Sequence, residues 1–166
     1  MTERIWTDKD YDAMSWHDNA IHGMRFIEGQ DGCGELVLDI DYILEWIKVE
    51  NYFTFRCQPA TLIFRGVSDL RMTIDYASQS AGFSPFSIDG IERRSEQRVG
   101  YVAYLWKIPI NWPDGEITFE ATGFEQLSRG ESRLTDAGAL KPEERLNNPE
   151  QGGPGCPPQG VGSPDP

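Results

Sequence analysis

His17 and His22, the only two histidines, stand near one another, and Asp18 adjoins the first in Ser15-Trp16-His17-Asp18-Asn19. Imidazole and carboxylate together ligate transition metals or move protons near neutral pH. On that chemistry the chain would be a small metal-assisted hydrolase using His17, Asp18 and His22, joined by Asp39 or Asp41. The spacing is a poor metal frame, because two histidines on one helix face need i, i+4. The plainer reading makes Trp16 and His17 a plug at an element boundary, with polar tips bonded to backbone.

A second set of groups is acidic. In Gly34-Glu35-Leu36-Val37-Leu38-Asp39-Ile40-Asp41-Tyr42-Ile43-Leu44-Glu45-Trp46, carboxylates fall at Glu35, Asp39, Asp41 and Glu45. Asp39 and Asp41 would lie about 7 Å apart on one strand face. A divalent cation with further oxygen ligands would suit that pair, and the pair would also match the acid pair of a hydrolase, separated by roughly 5–9.5 Å. A solvated face is the simpler outcome, and a contact surface for a basic partner is the functional one.

The cationic groups are fewer. Arg65, Arg71 and Asp75 are expected to form cross-strand ion pairs, and Arg93, Arg94 and Arg98 make a basic cluster able to seat an anion. No G-x-S-x-G nucleophile elbow is present, and no cysteine neighbours a histidine in sequence. The balance favours a protein without enzymatic activity.

Strands must position these groups. Leu36, Leu38, Ile40, Tyr42, Leu44 and Trp46 alternate with the carboxylates, so period 2 predicts one apolar and one acidic face. Residues 61–76 read as a hairpin turning at Gly66-Val67-Ser68-Asp69, with Pro59 ahead of it. Residues 86–94 read as a strand and 95–100 as a connection. Residues 101–112 pair with 116–124 across Pro113-Asp114-Gly115, in a type I turn with proline at i+1. Pro109 marks an edge or a bulge. Thr7 is placed to cap a short helix with Asp10 in its first turn.

The predicted fold is mainly β, an antiparallel sandwich or open barrel with a short N-terminal helix. Residues 1–130 form its single domain, and 131–146 an irregular or weakly helical extension. Residues 147–166, dominated by proline and glycine, form a disordered tail. Hydrophobic residues make up 39% of the 166, enough for a core without disulfides or metal.

With 27 acidic and 15 basic residues, the net charge of -12 opposes binding to nucleic acid or an anionic membrane and suits a basic partner. Cys33, Cys57 and Cys156 share no metal-ligand spacing, and their odd number points to a reducing compartment. The acidic start lacks the basic and apolar regions of a signal peptide. No run nears the ~18 apolar residues of a membrane helix. The expectation is a cytoplasmic protein with no cofactor, a divalent metal being the alternative. A tryptophan-lined interior holding a small ligand is a third reading.

Met14-Ser15-Trp16-His17-Asp18-Asn19 with Ile21-His22-Gly23, then Leu38-Asp39-Ile40-Asp41, Pro59-Ala60-Thr61-Leu62-Ile63-Phe64 and Val67-Ser68-Asp69-Leu70, resembles a group of small bacterial β-rich proteins. Some of that group look like immunity proteins of polymorphic toxin systems. The resemblance covers roughly residues 10–125 and carries no site residues with it. It implies a β-rich bacterial domain; the acidic balance makes the leading reading an immunity or regulatory protein that binds a basic partner through Glu35, Asp39, Asp41 and Glu45.

Overall fold

Residues 4–77 and 84–145 are described by the structure, a computed structural model of the chain. They are mainly β. The strands are β1 (Ile5–Thr7), β2 (Ala20–Glu28), β3 (Gly34–Val49), β4 (Tyr52–Ile74), β5 (Phe86–Ile88), β6 (Glu92–Arg98), β7 (Tyr101–Trp112), β8 (Gly115–Glu120), β9 (Gly123–Ser128) and β10 (Arg133–Thr135). All ten belong to one antiparallel sheet. A six-residue 3-10 helix, Asp8–Ala13, follows Thr7, whose N–H donates to Asp10 Oδ2 at 2.8 Å. The four-residue helix α1 (Pro142–Arg145) ends the described chain.

The pairings form a circuit: β4 to β3, β2, β5, β7, β8 and back to β4. Inside it, the inward residues Leu36, Leu38 and Ile40 of β3 meet Leu62 and Phe64 of β4, Trp106 and Ile108 of β7, and Ile117 and Phe119 of β8. Burying each such side chain stabilises the fold by about 1.5–3 kcal/mol. Phe64 stands edge-on to Trp106 and Phe119, with centroids 5.1 and 4.8 Å away. A third ring, Phe124, lies 6.2 Å away, so Phe64→Ala removes burial and three aromatic pairs, a loss of roughly 3–5 kcal/mol.

Where the strands depart from the expected pattern, a bulge or a change of neighbour is the cause. The alternation of β3 holds from Leu36 to Tyr42. There Ile43 pairs with Cys57 and Glu45 with the adjacent Arg56, so Leu44 is an extra residue. Such a bulge shifts the phase by one. Trp46 consequently moves to the outer side, opposite Phe55, and Leu44 and Trp46 are exposed rather than core.

The expected hairpin at 66–69 is not formed. β4 runs through this segment for 23 residues, and its register shifts between Ser68 and Arg71 as its neighbour becomes β8. Gly66 and Asp69 take φ of 62° and 51°, so the turn-like residues supply an irregular bend within one strand.

Two prolines inside strands follow one rule. In an antiparallel strand the N–H and C=O of a residue point to the same neighbour. The Pro59 carbonyl accepts from Arg129 N–H, where β4 passes from β10 to β9, and Pro109 accepts from Asp89 N–H, where β7 passes from β6 to β5. Each missing donor thus falls at a seam between neighbours. Residues 95–98 belong to β6 rather than to a connection. The expected turn between 112 and 115 is formed, and its Trp112–Pro113 bond is cis. The region after Gly123 forms β9, between β1 and β4. The proposed tail 147–166 lies outside the described residues.

Candidate functional site

The outer face of β2, β3 and β4 holds most of the candidate residues. Asp41 is fully buried there. Its Oδ2 lies 2.7 Å from His22 Nε2 and accepts the Leu140 N–H at 2.7 Å, while Arg145 pairs with its Oδ1. A second nitrogen of Arg145 reaches Asp39 Oδ1. A carboxylate buried without partners costs several kcal/mol, and these bonds supply them. The local chain explains the geometry. A β2 irregularity between Ile21 and Gly23 sits at His22, and the segment after β9 returns across the sheet as β10 and a strap, 136–145.

The strap also seals a small apolar cluster. Leu140 packs with Ile43, Cys57 and Phe55, and the Cys57 Sγ faces Gly138 O at 3.6 Å. Burial, with the Asp41 charge adding to it, pushes the Cys57 thiol up to about 12. The sulfur is therefore a protonated core atom at neutral pH rather than a nucleophile.

Beyond the strap the same face lies open. Trp46 and Phe53 stand edge-to-face at 5.9 Å and are 39% and 47% exposed. His17 stacks on Trp46 with centroids 5.8 Å apart. The His17 Nδ1 is 2.9 Å from the Asp89 carbonyl and 3.1 Å from Asp89 Oδ1, and Nε2 is 3.6 Å from Asp18 Oδ2. The bond to the Asp89 carbonyl raises the His17 pKa above its usual value, and the Asp18 and Asp89 charges add to this against the opposing effect of desolvation. Thr54 donates to Asp136 at 3.2 Å close to the same hairpin end.

The predicted sites are thus divided. His17 with Asp18 and His22 with Asp41 contact separate carboxylates and do not form one centre. Among the described residues no three of His, Cys, Asp and Glu are grouped to hold a metal ion. Glu35, Asp39 and Asp41 lie on the outer face, whereas the Leu44 bulge puts Glu45 on the other side. All four have a cation of this chain: Glu35 meets Arg65, Asp39 and Asp41 meet Arg145, and Glu45 meets Arg56 at 3.3 Å. The acidic ladder is therefore neutralised internally and does not form a continuous open face.

The expected Arg65–Arg71–Asp75 grouping is dispersed, since Arg65 bridges Glu35 and Glu125. Arg93 lies over the Tyr11 ring at 4.2 Å and 3.8 Å from Asp8. Arg98 pairs with Glu120, and Arg94 is exposed. Leu140 and Arg145 were missed by sequence reasoning. A lone leucine and a lone arginine in a polar segment show no period to detect. No helix among the described residues is long and apolar enough to cross a membrane. No family model matches the chain, and no curated protein matches it.

Proposed function

We propose that this chain is a non-enzymatic interaction protein that docks a basic partner on the open end of the β3–β4 hairpin. The carrying observation is the half-exposed Trp46–Phe53 pair beside Asp18 and Asp89, on a face whose other half is covered by the chain's own strap. Aromatic anchors with a charged rim are the usual composition of an interface centre, and opposite charge accelerates encounter. Lys48 stands opposite Phe53 at this end. The resemblance to immunity proteins supports an immunity or regulatory role for such docking. The closed strand circuit favours a barrel, closed rather than open, over a sandwich, and the free Cys33 and Cys57 suit a reducing, cytoplasmic setting.

The test is capture of a basic partner by immobilised protein at low and high salt, repeated with Phe53→Ser and with Asp18→Asn/Asp89→Asn. Phe53→Ser is expected to abolish retention, and the double carboxylate variant to weaken it chiefly at low salt. Equal retention by Phe53→Ser and wild type would place the interface elsewhere.

A further inference from the structure

On a different face, the outward residues of β4, β8, β7 and β6 line a cleft of about 580 Å³. Register fixes its layout. Arg71 pairs with Thr118, Thr118 with Lys107 and Lys107 with Glu92, which forms one row across four strands. Glu120, Leu105 and Arg94 form the next row. With strands about 4.8 Å apart, Arg71 and Lys107 stand roughly 10 Å apart across the cleft, and Arg94 is one strand and one row further.

The charges of this cleft are unequally satisfied. Arg98 is paired with Glu120, Lys107 with Glu116 at 3.0 Å, and Arg93 is held over Tyr11. Arg71 and Arg94 are exposed, and neither has a hydrogen bond, ion pair or ring contact among the described residues. Asp69 and Glu92 line the same cleft without an ion pair to either arginine. In a protein of net charge -12, two unengaged guanidinium groups facing one concavity are an unusual placement. Guanidinium presents a planar fork of donors that matches phosphate and carboxylate oxygens.

We propose that this cleft binds a small ligand carrying at least two anionic groups, one at Arg71 and one at Arg94, with Lys107 between them. Leu105 and Thr118 form the floor on which the ligand backbone rests. Phosphate and carboxylate groups share this chemistry, and the probe separates them. This site is independent of the hairpin docking surface.

The experiment is titration of the full-length protein with inorganic pyrophosphate and, separately, with citrate, by calorimetry at constant ionic strength. One variant is Arg71→Gln/Arg94→Gln. A charge-matched control, Arg25→Gln/Lys141→Gln, removes two exposed cations outside the cleft. The expected result is saturable 1:1 binding of one or both anions, weakened about tenfold or more by the cleft variant and unchanged in the control. Preference for pyrophosphate would assign a phosphate ligand, and preference for citrate a polycarboxylate. Absence of saturable binding of both probes, or equal weakening by both variants, would overturn the proposal.

Discussion

One face of the β3–β4 ribbon is divided into two halves that treat the same kinds of residue differently. Under the strap, Asp41 is closed off by His22, Arg145 and the Leu140 N–H, and Cys57 is sealed by Leu140. Past the Leu44 bulge, Trp46, Phe53 and His17 remain accessible beside Asp18 and Asp89. A carboxylate at the first half is structural because each oxygen is engaged within the chain. Asp18 and Asp89 also have partners, His17 for both and Asn111 for Asp18, but they stay exposed and can meet another molecule. The lesson is that accessibility, more than residue type or pairing, separates a scaffold from a docking surface.

The largest expected effect is at the covered half. Asp41→Ala takes the carboxylate from His22 and one of two from Arg145, and should lower the unfolding free energy by about 3–5 kcal/mol in urea titration. The exposed Glu45→Ala should shift it by under about 1 kcal/mol. Equal losses would erase the distinction between the two carboxylates. Leu140→Ala comes next, at about 2–3 kcal/mol, the low end for buried leucine because its cluster is small.

A pH series sharpens the same contrast. The Cys57 thiol titrates at about 12 in the folded chain against 9.0 unperturbed, so the unfolded state releases its proton first as pH rises. The stabilising contribution is whole below pH 9 and declines as pH climbs toward 12. Stability curves of wild type and Cys57→Ala should therefore converge over this alkaline window; parallel curves would mean the thiol is not shielded. The smallest effect belongs to the open half, where Phe53→Ser should cost about 1 kcal/mol or less of stability while removing partner retention. A large destabilisation would recast Phe53 as core.

Much of the fold was legible because alternation is a strong local signal. Leu36 to Tyr42, Leu62 to Phe64 and Trp106 to Ile110 lie on the faces their spacing predicts. The misreadings are equally specific. Gly66 and Asp69 satisfy turn chemistry and bulge chemistry alike, and only the pairing of β4 with β8 decides between them. β9 was obscured because its inward Gln126 and Ser128 are polar. Gln126 is buried by accepting the Trp16 indole N–H at 2.8 Å, a contact between distant parts of the chain. The site was less legible than the fold. Asp39 and Asp41 stood out as carboxylates, but their engagement depends on Arg145, about a hundred residues later, and no local pattern announces it.

The most direct test of the divided face is thiol labelling of native protein, resolved by peptide mapping at mildly alkaline pH. Cys33 is exposed and Cys57 lies beneath Leu140, so Cys33 should react readily while Cys57 stays unmodified. Arg145→Met should loosen the strap and bring Cys57 into reaction without unfolding the sheet. Labelling of Cys57 at the rate of Cys33 in the wild-type chain would contradict the account, since the strap would then not be closed over the face.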